Sequence, residues 1–195
     1  MDVFPFSDHW VSGYLFKCQT VDQPVLYMNL SEQLMAEMSR RNIDYIVHYI
    51  GNDPQLFKDL MDIVWNGSPP LPQRAAWAVS HVTDKYPELL KPYIKKIINR
   101  LEEFDHPGVR RSFVRYIAEH GIPPSTEGKL YDICSRWLMS RDEPIAIKAH
   151  CMQIMFNIAE KESDLKNELK LMLEELITHE SAGIKSRSQY LLEKL

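Results

Sequence analysis

Four basic residues, Arg74, Arg110, Lys148 and Lys185, recur at steps of 36, 38 and 37 residues, each near the start of an apolar stretch. In the last three copies an acid stands five residues earlier, at Asp105, Glu143 and Glu180. The chemistry of such a set is ion pairing and anion recognition. A guanidinium or ammonium either holds a carboxylate or carbonyl of its own chain or faces an anionic partner. Bond-making chemistry has little support. The histidines (His9, His48, His81, His106, His120, His150 and His179) are scattered, with no HExxH, no pair at i,i+4 and no zinc spacing with cysteine. Nucleophile-elbow, phosphate-loop and dinucleotide glycine patterns are absent. Cys18, Cys134 and Cys151 form no CxxC and read as free thiols of a reducing cytoplasm, the latter two buried in helices. No catalytic residue, metal or cofactor is expected.

A base that returns about every 37 residues requires an element that returns with it, and this period is that of stacked helical hairpins. Composition agrees: 195 residues suffice for one core, glycines number only seven, and Leu, Ile, Glu, Lys and Met favour helix. Apolar spacing and Pro/Gly punctuation predict hairpins over 54–66 with 71–85, 87–103 with 108–120, 126–140 with 144–160, and 164–179 with 182–195. One leading helix is predicted over 30–50, capped by Ser31 and weakest near Asn42. Residues 29–195 thus read as a single repeat domain. Residues 1–28, with Phe4, Phe6, Trp10, Tyr14, Phe16 and Tyr27 but no helical period, read as an appendage or as a start-site artefact ahead of Met28. The alternative is an aromatic segment docked on the array or on a partner. No signal peptide and no apolar run of membrane-spanning length is visible in these residues.

Laid over one another, Gln73-Arg74-Ala75-Ala76-Trp77, Val109-Arg110-Arg111-Ser112-Phe113, Ile147-Lys148-Ala149-His150-Cys151 and Ile184-Lys185-Ser186-Arg187-Ser188 carry a family pattern. The chain resembles HEAT-like (armadillo-type) repeat proteins, in which an acid-containing turn precedes a Val-Arg-type start of the second helix. The resemblance covers about 54–195. The stretch from Gln73 to His81 followed by Tyr86-Pro87-Glu88-Leu89 is similar to a small bacterial family of this fold. The first repeat departs from the pattern, with Pro69 where the acid belongs. The resemblance implies an all-α, right-handed superhelix of about four hairpins plus a leading helix, with the second helices on the concave face.

Charge sharpens the functional reading. The four second-helix windows, 73–82, 109–118, 147–156 and 184–193, hold Arg74, Arg110, Arg111, Arg115, Lys148, Lys185 and Arg187 against Glu193 alone. They therefore carry +6 in a chain of net −4, leaving −10 elsewhere. These seven bases and Trp77, which follows Arg74 on the adjacent turn, are the candidate binding residues of a concave face. Trp65 and Trp137 read as core. Asp105, Glu143 and Glu180 read as a structural ladder that fixes the angle between repeats, each pair worth about 0.5–1 kcal/mol if partly exposed. The leading function is a non-enzymatic scaffold for a protein, an acidic peptide or another anionic partner. Nucleic-acid binding is the alternative, because one HEAT-like DNA glycosylase family works through a basic concave face with Trp, Asp and Arg. The four windows contain no such Asp. A label attached to the small bacterial family, adenylosuccinate lyase, ranks last, since the Ser-x-x-Met-Pro-x-Lys-x-Asn-Pro loop of that enzyme is absent.

Overall fold

The structure is a computed structural model that describes residues 28–195; the expectations for residues 1–27 lie outside the described residues. Ten α-helices follow one another: α1 (Leu30–Ala36), α2 (Arg40–Ile50), α3 (Pro54–Asn66), α4 (Leu71–Lys85), α5 (Ile94–Asn99), α6 (Pro107–His120), α7 (Glu127–Met139), α8 (Ile145–Ala159), α9 (Asp164–His179) and α10 (Ala182–Leu192). No strand occurs among the described residues. The helices form successive hairpins stacked as an α–α solenoid.

The predicted leading helix is two. Ser39 accepts a hydrogen bond from the Asn42 amide at 3.1 Å and caps α2, so the chain breaks at 37–39 rather than at Asn42. Asn42 is buried because its Nδ2 donates to the carbonyls of Gln33 and Glu37, both at 2.8 Å, closing the open end of α1. The start of α1 is capped by Asn29, whose side chain accepts from the amides of Ser31 and Glu32, and not by Ser31. The predicted helix over 87–103 is also interrupted. Pro92 lacks an amide proton, and the segment runs as 3-10 turns at Pro87–Leu89, Lys91–Tyr93 and Leu101–Glu103 around the short α5. Elsewhere the punctuation works as expected. Asp53 caps α3 with Pro54 in its first turn, and Gly121 ends α6 at φ 101°, a conformation L side chains rarely adopt.

The second helices α4, α6, α8 and α10 pack closely on one another along the array, while the backbones of neighbouring first helices stand further apart and meet through side chains, as Ser135 meets Met172 and Lys129 meets Asn99. The second helices thus form the more closely packed layer, the one that a curved two-layer array turns inward. Between the layers runs one core, including Phe57, Leu60, Ile97, Phe113, Leu130, Cys151 and Leu173. Cys134 and Cys151 are buried free thiols, and burial together with the neighbouring Cys151 thiol pushes Cys134 well above its ordinary range. Cys18 lies outside the described residues.

Burial also corrects the repeat register. Val109, Phe113, Tyr116 and Ile117 of α6 correspond to Ile147, Cys151, Ile154 and Met155 of α8, a step of 38, and Ile184, Ser188 and Leu191 follow in α10 at 37. In α4 the buried residues are Ala75, Ala76, Ala78, Val79, Ser80, Val82 and Thr83. Of these, Ala75, Ala76, Ala78, Val79 and Ser80 match Phe113, Val114, Tyr116, Ile117 and Ala118 of α6 at the same step of 38. At that step the residue equivalent to Arg110 is Pro72 and not Arg74, and Arg111 and Arg115 are equivalent to Gln73 and Trp77.

Candidate binding groove on the inner face

The ladder forms as two rungs. Arg110 Nη1 donates to Glu143 Oε2 at 3.0 Å, and the Lys148 ammonium pairs with Glu180. Each rung joins the second helix of one repeat to the turn before the second helix of the next. Neither is a surface pair, since the Glu143 side chain is 8 % and that of Lys148 4 % exposed. Arg110 also lies over the Trp137 ring at 5.2 Å. The Lys148 hydrogen bond holds the Glu180 carboxyl below the usual carboxylate range. Asp105 makes no rung. It is exposed and has no ion pair among the described residues, and the residue 33 positions earlier, the separation of the Arg110–Glu143 rung, is the uncharged Pro72.

Arg74, two residues beyond the position a rung would need, turns the other way. Its Nη1 donates to the carbonyls of Leu34 at 2.9 Å and Met35 at 3.3 Å, at the C-terminal end of α1. A cation at a helix C-terminus is favourable, and Arg74 meets no carboxylate there. Arg115 is clamped. Its Nη1 donates to Ser80 Oγ at 3.0 Å, its Nε to Glu119 at 3.3 Å, and its remaining nitrogen pairs with Asp84. Arg187 donates to the Gln153 side chain and lies 5.2 Å over the Tyr190 ring. Lys185 Nζ approaches the Thr178 carbonyl at 3.5 Å. Three of the seven candidate bases, Arg110, Arg115 and Lys148, are thus neutralised by acids outside the four windows. The continuous basic face expected from charge counting does not form.

What does form is a groove. Arg74, Trp77 and His81 on α4 run along one wall, and Gly108, Arg111 and Arg115 on α6 along the other. Met38 and His106 stand among the lining residues, the former 66 % exposed. The groove encloses about 410 Å³, within the range of ligand-sized clefts. Trp77 is half-buried, with its ring edge-on to His81 at 6.0 Å. Arg111 is exposed and, among the described residues, has no ion-pair or hydrogen-bond partner. Lys148, Lys185 and Arg187 lie outside this groove. Composition alone did not signal Met38, His81 or His106 as lining residues. The i,i+4 spacing of Trp77 and His81 was the available clue.

The lining of the groove holds three arginines and two histidines and no carboxylate. Asp84, a nearby acid, is held by Arg115 and lies 3.2 Å from His81 Nδ1. Among the described residues no cluster of His, Cys, Asp or Glu is placed to hold a metal ion, and no helix is long and apolar enough to cross a membrane. The sequence model of the HEAT repeat domain matches residues 30–195, from α1 to the end of the chain. No curated protein and no solved structure matches the chain. With that match spanning all ten helices, the chain belongs to the HEAT repeat domain family.

Proposed function

We propose that this protein is a non-enzymatic helical-repeat scaffold that holds a protein partner in the groove between α4 and α6. The supporting observation is the pairing of a half-buried Trp77 with an Arg111 that serves no ion pair among the described residues. Trp65 stacks on Phe104 at 5.4 Å and Trp137 lies under Arg110, whereas the ring of Trp77 meets His81, itself a lining residue of the groove. Tryptophan and arginine are the residues most enriched at the energetic centres of protein interfaces. A repeat array supplies the extended rigid surface, and nothing in the groove assembles a nucleophile with its base.

The test is affinity capture from cell lysate, with and without nuclease, comparing the wild-type protein with Trp77→Ala and Arg111→Glu. The captured protein is then added back, and hydrogen exchange is followed. The expected result is a nuclease-resistant protein, lost with either variant, that protects α4 and α6. Protection confined to the first-helix layer would refute this reading. Capture of nucleic acid in place of protein would move the glycosylase-like alternative forward.

A further inference from the structure

We propose that the α4–α6 groove takes a short acidic polypeptide segment in which a carboxylate stands next to a large apolar side chain, the carboxylate on Arg111 and the apolar group against Trp77 and Met38. This rests on the reading of the groove as the protein-binding surface and specifies what occupies it.

Charge complementarity selects an anion. Arg74, Arg111, Arg115, His81 and His106 line the groove, and no acid does. Of the three arginines, Arg115 is neutralised by Asp84 and Glu119, and Arg74 is tied to the carbonyls ending α1. Arg111 alone offers an unengaged guanidinium, whose planar fork suits one carboxylate bidentately. The attraction is therefore local. A polynucleotide needs a track of cations along its backbone. Beyond Arg111 the inner face offers Lys148, buried with Glu180, Arg187, engaged by Gln153, and at its far end Lys185, 3.5 Å from the Thr178 carbonyl, which together make no continuous track. The second half of the recognition is apolar. Trp77 presents part of its ring, and Met38 is an exposed, flexible thioether able to adapt to an inserted side chain. A volume of about 410 Å³ gives room for a few inserted side chains.

The probe is a displayed library of short random peptides, selected in parallel on wild-type protein, Arg111→Glu and Trp77→Ala, with circular dichroism confirming that each variant is folded. On the wild type, the enriched peptides carry Asp or Glu beside a Leu, Phe, Trp or Met. That enrichment disappears on both variants. A labelled consensus peptide then loses about tenfold or more in affinity on Arg111→Glu, and a smaller amount on Arg111→Lys, which keeps the charge without the fork. Enrichment without acidic residues, or acidic enrichment that persists on Arg111→Glu, overturns the proposal. So does a labelled oligothymidine that binds more tightly than the consensus peptide. If the lysate partner depends on Trp77 but the library gives no acidic signature, only this inference falls. If the partner is indifferent to Trp77, the groove reading falls with it.

Discussion

The Arg110–Glu143 and Lys148–Glu180 contacts show how burial changes what an ion pair is worth. Exposed pairs such as Arg40–Asp44, with side chains 64 % and 54 % exposed, contribute at most about 1 kcal/mol. Removing one member of a buried pair instead strands the other charge. Arg110→Ala and Glu180→Ala are each expected to lower unfolding free energy in urea by about 3 kcal/mol, against about 0.5 kcal/mol for Asp44→Ala. Helicity by circular dichroism stays intact in all three. Equal small effects would remove the structural role of the rungs. His150 makes a second residue-scale prediction. Burial lowers its pKa, with Arg111, Arg115 and Arg187 acting in the same direction and Glu119 against. The folded chain therefore takes up this proton less readily than the unfolded chain. Stability attributable to His150 is complete above the ordinary histidine value and declines as pH falls below it toward the folded pKa. In His150→Gln the thermal midpoint should fall less between neutral and mildly acidic pH than in the wild type. Parallel curves for the two proteins would contradict this.

At the scale of elements, proline and glycine punctuation was legible. The bounds of α3, α4 and α9 coincide with those read from the sequence, because Pro54, the Gly67–Pro70 break and the turn before Asp164 act locally. The split between α1 and α2 was not legible. It depends on the Asn42 side chain reaching back over Gln33 and Glu37, a contact that no periodicity encodes. Asn42→Ala should consequently free both carbonyls and cost about 2 kcal/mol. Hydrogen exchange should accelerate in α1 before it does in α4. Uniform acceleration across the chain would argue against Asn42 as a local latch. The register of α4 was also misread, for an instructive reason. Arginine is conspicuous and alanine is not, so Arg74 was matched to Arg110 although the buried Ala75, Ala76, Ala78 and Val79 mark the true phase. Reading the apolar positions before the charged ones would have aligned Ala75 and Ala76 with Phe113 and Val114, and Trp77 with Arg115, from the outset.

For the whole molecule, repeat architecture followed from the period, but the basic inner face did not follow from charge counting. Counting within windows omits acids such as Asp84, Glu143 and Glu180, which fold back onto those bases from positions just outside. What survives is the groove between α4 and α6, in which Arg111, unlike Arg74 and Arg115, has no partner among the described residues. Arg111→Glu is therefore expected to change stability by less than about 0.5 kcal/mol while abolishing partner capture, the reverse of Arg110→Ala one residue away. A stability loss at Arg111 comparable to that at Arg110 would place it in the framework instead. The missing rung has a mechanical side. Rungs bolt α6 to the turn before α8, and α8 to the turn before α10, whereas no such rung joins α4 to the turn before α6. There Arg115 grips Ser80 and Asp84, and the Tyr116 hydroxyl donates to the Pro87 carbonyl. The first joint of the array is thus stapled helix to helix with no bolt to its turn, and the staple Arg115 stands in the wall of the groove itself.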